Sequence, residues 1–209
     1  MTEFVPHTRG TGSGHFRHRL ANGFVAVVSV CLLVSCTNPG RPALTAYGGT
    51  YTDARLVNDI VLAGGFAVED SYLAAIAVSE PIYYRESYQW EVEGQVAKHF
   101  GEQDNWEVNA LFDLRWRSFP WNDYVKTSFA FGEGLSYASE VPLLEDLSEP
   151  ETGSTRLLNY LLLEWTFAPP AEEQWAVVLR VHHRSGIFGW FDNVDGGSNV
   201  IAMGLKYAF

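Results

Sequence analysis

The chain of 209 residues is 47% hydrophobic and 14% aromatic, enough apolar surface for one compact domain and too much for a disordered chain. Its formal net charge of −11 excludes a nucleic-acid partner, which would need clustered Lys and Arg for the phosphates.

Residues 1–36 read as an export segment. Arg9, Arg17 and Arg19 precede an apolar run from Phe24 to Val34, about 11 residues, which fits a signal-peptide core and falls well short of the ~20 that span a bilayer as a helix. The run closes on Leu33-Val34-Ser35-Cys36, which resembles the bacterial lipobox. Cys36 is then the expected lipidated first residue of the mature chain, with ordinary signal cleavage nearby as the alternative. A lipid there strengthens membrane attachment without specifying a fold. With Cys31 inside the signal, at most one Cys survives maturation, so no disulfide forms within a mature chain. Residues 37–42, with Pro39, Gly40 and Pro42, are a linker, and the domain occupies 43–209.

Within the domain the pattern has period two. Val92, Val96 and Phe100 face one way, and Glu91, Glu93, Gln95 and His99 the other. The next segment repeats this more clearly. Trp106, Val108, Ala110, Phe112, Leu114 and Trp116 alternate with Glu107, Asn109, Asp113, Arg115 and Arg117. In a soluble sandwich the apolar face packs on a second sheet; in an outer-membrane barrel it meets lipid and the polar face lines the lumen.

Strand number and length favour the barrel. Strands are expected at 43–52, 70–83, 88–100, 105–118, 123–138, 155–167, 174–185 and 198–209. Most are nearer the 9–11 residues of membrane-spanning strands than the typical five or six of globular sheets. Short connections at 84–87, 119–122 and 168–173 alternate with long ones at 53–69, 139–154 and 186–197, with 101–104 a short member of the long set. Tight turns on one side and longer loops on the other suit an eight-stranded antiparallel barrel with both termini in the periplasm. Tyr88, Trp90, Trp106, Trp116, Tyr124, Tyr137 and Trp175 stand near strand ends as an interfacial girdle would. The last strand alternates Ile201, Met203, Leu205, Tyr207 and Phe209 with Ala202, Gly204, Lys206 and Ala208, and its terminal Phe resembles the C-terminal signal of outer-membrane barrels. The expected fold is therefore an all-β, eight-stranded antiparallel transmembrane barrel of outer-membrane type after a cleaved signal, in the bacterial outer membrane. The acidic loop 140–151 reads as solvated.

Strand seven carries the chemistry. Trp175, Val177, Leu179 and Val181 form its apolar face, and the same parity continues into His183 and Ser185; Arg180, His182 and Arg184 face the lumen. A His and a Ser on the lipid side are costly unless they act at the interface. The strand runs outward, so the pair sits where acyl chains and headgroups of the outer leaflet meet. A Ser two residues from a His on one face can lose its proton to that His and attack an ester carbonyl, given a group to orient the imidazole and donors for the oxyanion. His182 and His183 point to opposite faces and make a poor metal pair, so no metal is expected. Arg180, Arg184, Arg115, Arg117, Glu91, Glu93 and Asp113 are expected to fill the lumen as a charge network.

His183-Arg184-Ser185-Gly186, the loop after it and the last strand resemble the outer-membrane lipid A 3-O-deacylases, the PagL-like family often described as acyloxyacyl hydrolases. The resemblance implies an eight-stranded barrel whose external His and Ser release an ester-linked acyl chain from lipid A, without cofactor. His183 would be the base and Ser185 the nucleophile; the partners would be lipopolysaccharide and outer-membrane lipids, and homodimerisation stays open. Two departures stand out. The family's orienting Glu, about a dozen residues after the Ser, is absent from 192–199, where Asp195 is the substitute and Asp192 its rival. The family's Asn after the Ser is Gly186 here, so an oxyanion hole would rest on backbone N–H groups at Gly186 and nearby. These departures leave a non-catalytic barrel with a structural or lipid-binding role as the alternative, and a soluble periplasmic sandwich lipoprotein as a third reading.

Overall fold

The structure, a computed structural model, describes residues 40–52, 56, 67–148, 152–172, 174–187, 189–194 and 196–209. The export segment with Cys36, most of the connection after the first strand, and Asp195 lie outside them. Eight strands follow in order: β1 Ala43–Thr52, β2 Val68–Tyr84, β3 Tyr88–Gly101, β4 Trp106–Trp116, β5 Lys126–Ala138, β6 Leu157–Ala168, β7 Trp175–Ser185 and β8 Gly197–Ala208. Each pairs antiparallel with the next, and β8 pairs back on β1 from Ala43↔Ala208 to Thr52↔Asn199, closing the barrel. Closure pairs the backbone groups that an open sheet edge would expose to hydrocarbon. No helix among the described residues is long and apolar enough to cross a membrane; the strands cross it.

The two faces of the sheet rule out the sandwich reading. Outward residues are large, apolar and uncovered: Phe112 is 62% exposed, Met203 63%, Ile76 57% and Trp106 54%. Polar residues of the opposite parity are buried inside. A soluble domain cannot leave such a wall to water, whereas an outer-membrane barrel needs it facing lipid. The chain is therefore a transmembrane barrel of outer-membrane type, in agreement with the location expected from the sequence. Trp175, Tyr207 and Phe209 contact in series near the chain termini, with ring centroids 4.7 and 6.4 Å apart, and Phe119, Trp121, Trp165 and Phe129 form a second aromatic group at the same end. These rings form an interfacial belt at the short-turn end, which is periplasmic by the usual asymmetry of loops.

The lumen is filled by ion pairs. Arg180 donates to Glu164 Oε2 at 2.9 Å and to Glu93 Oε1 at 2.9 Å. Arg115 joins Glu91 Oε1 at 2.9 Å to Glu164 Oε1 at 2.8 Å, and Lys206 adds a third cation to Glu164 at 3.1 Å. Eight strands leave only enough interior for such side chains, so the barrel is a packed core with a polar filling. Arg117 sits nearer the periplasmic mouth, donating to Gln89 Oε1 at 3.1 Å. Asp113 is buried in the same interior, but neither of its carboxylate oxygens has a hydrogen-bond partner among the described residues.

Most strand bounds shift by one or two residues from expectation, and three places differ for a physical reason. β5 starts at Lys126 rather than Asp123, because Asn122 holds a folded turn together. Its Nδ2 donates to Arg117 O at 2.7 Å, and its Oδ1 accepts from Thr127 N at 3.1 Å. β2 starts at Val68, extended past a bulge between Thr50 and Thr52 of β1. The acidic loop is not simply solvated. It forms the short helix α1, Leu143–Ser148, and its Glu145 is buried against the barrel. Arg184 Nη1 reaches both Glu145 oxygens at 2.9 Å, and Ser198 Oγ donates to Oε1 at 2.6 Å. A carboxylate facing a lumenal Arg that has no other ionic partner among the described residues is drawn in by that charge, whatever the acidity of its neighbours.

Candidate active site

On the outer wall of β5 to β8 the apolar surface is interrupted toward the long-loop end by Glu133, Asn159, His183, Ser185 and Asn199. Register brings these together: His183 lies between Leu161 of β6 and Asn199 of β8, and Ser185 between Asn159 and Gly197. Residues directly opposite on one face have Cβ atoms about 4.5–5.5 Å apart. Polar side chains from four adjacent strands thus converge on a wall where each is costly alone. The parity expected for His183 and Ser185 is the one observed, and His182 is buried on the lumenal side.

The imidazole of His183 has a defined tautomer. Nδ1 lies 3.1 Å from the carbonyl oxygen of Ser198 and 2.8 Å from Oδ1 of Asn199. A backbone carbonyl only accepts, so Nδ1 carries the proton and donates it. In the neutral ring Nε2 then has a free lone pair, the form a general base requires. Among the described residues no hydrogen bond joins Ser185 Oγ to His183; the two share a face two residues apart on β7.

Among the described residues the side chain that meets His183 Nδ1 is an amide, not a carboxylate. Asn199, which reasoning from sequence passed over, occupies the position across from His183. Asp192 is exposed and accepts from Thr155 Oγ1 at 3.3 Å, away from the ring, and Asp195 is outside the described residues. A search limited to acids could not find Asn199; the antiparallel register of β7 and β8 would have.

Gly186 is also accounted for differently. Its N–H donates to Gly196 O at 3.0 Å, so this expected oxyanion donor is engaged within the loop. A Cβ at Gly186 would collide with the carbonyl of Val194, which explains a glycine there. The loop is tightly tied, with Gly189 N to Val194 O at 3.0 Å and Phe191 N to Gly186 O at 3.1 Å. It holds Ile187, a β-branched residue, at φ 46°. Left-handed backbone at such a residue costs on the order of 1–3 kcal/mol and persists where surrounding bonds over-determine it.

Glu133 and Asn159 extend the polar patch sideways: Asn159 Nδ2 donates to Glu133 Oε2 at 2.9 Å. The amide is thereby fixed with its nitrogen toward the carboxylate, leaving a second N–H.

Comparison with known proteins gives likeness in fold. The crystal structure of the outer membrane enzyme PagL superposes with a TM-score of 0.50 at 9% identity, covering 78% of this chain and 97% of that one. Neisserial surface protein A (NspA) gives 0.48 at 12% identity, over 80% of this chain and 96% of that one. The outer membrane protein OprG from Pseudomonas aeruginosa gives 0.41 at 10%, over 81% and 96%. No protein-family model and no curated protein sequence matches the chain. At these identities the PagL likeness is one of barrel architecture, and function must be argued from the site.

Proposed function

We propose that the chain is an outer-membrane ester hydrolase that removes an ester-linked acyl chain from lipid A. The observation that supports this most is the Nδ1–H tautomer of His183, held by Ser198 O and Asn199 Oδ1 on the lipid-facing wall beside Ser185. Among the described residues Nε2 has no hydrogen-bond partner, which leaves it available to take a proton from Ser185.

Ser185 gives its proton to His183 Nε2 as Oγ attacks the ester carbonyl carbon. The tetrahedral intermediate collapses when the imidazolium returns that proton to the leaving alcohol oxygen. Water, deprotonated by the same His183, then releases the fatty acid from Ser185. Asn199 is the positioning residue in place of an acid. An amide orients the ring but stabilises the imidazolium less than a carboxylate would, so the chemistry is expected to be slow. With Gly186 N–H engaged, Asn159 is assigned as an oxyanion donor through its second Nδ2 proton, and Glu133 holds it in place.

The test is the mass of lipid A from membranes incubated with the purified protein. Wild type should remove one hydroxy-acyl chain and Ser185→Ala none. Intact lipid A with wild-type protein, or equal loss with the variant, would overturn the reading.

A further inference from the structure

The lumen holds a second cluster that the wall chemistry does not use. His99 of β3, Glu107 of β4 and His182 of β7 are all buried, and their ligand-type atoms lie within 4.8 Å of one another. Both imidazoles turn Nε2 toward one carboxylate: His99 to Glu107 Oε2 at 2.9 Å and His182 to Glu107 Oε1 at 2.8 Å.

The proton on His182 can be traced through its neighbours. Gln95 Nε2 donates to Glu93 Oε1 at 2.7 Å, which fixes the Gln95 amide with Oε1 on its other side. That oxygen accepts the Tyr47 hydroxyl proton at 2.8 Å. Tyr47 Oη has then spent its only proton, so it can meet His182 Nδ1, 3.2 Å away, only as an acceptor. Tyr160 Oη, 3.1 Å from the same nitrogen, can accept from an Nδ1–H or donate to an Nδ1 lone pair. With the proton on Nδ1, Nε2 is a lone pair that converges with Glu107 on a cation; with the proton on Nε2, His182 donates directly to the carboxylate.

We propose that His99, Glu107 and His182 bind one divalent ion of the zinc class inside the barrel. Two imidazoles and a carboxylate are ligands suited to such ions, and three protein ligands leave a fourth position for water. Tyr47 and Tyr160 on His182 Nδ1 are the outer-shell partners that fix the ring of a metal-bound His. His99 joins through Nε2 with its proton moved to Nδ1; Gln103, whose Nε2 is 3.3 Å from that nitrogen, turns its amide to accept and gives up the bond that its Oε1 receives from Leu144 N. Tyr47, Tyr51, Leu73 and Val200 form an apolar surround, and Leu144 of α1 packs against it. The site ties β3, β4 and β7 together across the lumen, so it is a structural centre, independent of the ester hydrolase reading.

The experiment uses the full chain folded in detergent, with affinity tags removed and either Zn²⁺ or Co²⁺ present during folding and again after it. Metal per barrel is read by elemental mass spectrometry after dialysis, and Co²⁺ geometry by its visible absorption. Wild type should retain one ion per barrel with a tetrahedral cobalt spectrum. Glu107→Gln and His182→Asn should lose it, and Tyr47→Phe, with every ligand intact, should bind about 10- to 100-fold more weakly. Folding of each variant is checked by heat-modifiable gel mobility, and Tyr47→Phe keeps the test decisive if a ligand variant fails to fold. Absence of stoichiometric metal on wild type would overturn the proposal in favour of a proton on Nε2, as would unchanged uptake by Glu107→Gln.

Discussion

Alternate residues of one strand live in opposite chemical worlds. On the lumenal side of β7, Arg180, His182 and Arg184 each meet a buried carboxylate: Glu164 and Glu93, Glu107, and Glu145 respectively. On the lipid side, two residues of the same stretch, His183 and Ser185, have no ionic partner among the described residues. His183 is held by one amide and one carbonyl. The lumenal set is bound by mutual need, since removing either member strands a charge in a low-dielectric interior. The wall set gains little stability and sits where polarity is penalised. Stability therefore resides in one parity of β7, and the proposed reactivity in the other.

The comparison can be broken most sharply from the wall. His183→Ala is expected to reduce acyl release by roughly 10³-fold or more, the scale of losing a general base and its nucleophile activation together. Gel mobility and resistance to heat should stay at wild-type values. Its lumenal counterpart, Arg180→Ala, should do the reverse. It leaves Glu93 without its cation and takes one of three cations from Glu164, at a cost of about 3–5 kcal/mol, read as a lower urea midpoint for unfolding in detergent. Asn199→Ala should reduce acyl release by roughly 10²-fold, near the low end of what a positioned base contributes, and Asn199→Asp should recover or exceed wild-type rates. The smallest effect is expected at the join between the two sides. Glu145→Gln keeps the shape of α1 but weakens its hold on Arg184 and on Ser198, whose carbonyl supports His183. About 1–3 kcal/mol of stability should go, with acyl release falling only a few-fold.

Much of this division was legible in the sequence, because a strand's period of two separates its faces without knowledge of its neighbours. Val177, Leu179 and Val181 fix the outward parity of β7, and His183 and Ser185 follow from it. What lay beyond reach depended on partners distant in the chain. Asn199 matters through register with His183, and Asn159 through register with Ser185. Both carried a local sign, a polar residue at a lipid-facing position, which is also how Glu133 on β5 could have been noticed. Glu145 had no such sign: its acidic neighbours speak for a solvated loop, and only the Arg184 charge in the barrel mouth draws it inward. The bond from Gly186 N–H to Gly196 O was out of reach for a related reason, since it arises from the folding of the intervening loop rather than from its own neighbours.

The central claim is that Ser185 is a nucleophile activated by His183 on the lipid-facing wall. A long-chain fluorophosphonate, presented to the folded protein in detergent or bilayers, tests it most directly because it reports the nucleophile without needing the natural ester. Peptide mass analysis should find the phosphonyl adduct on Ser185 in wild type, and none in His183→Ala protein that folds normally. An unlabelled Ser185 in folded wild type, or equal labelling without His183, would contradict the account.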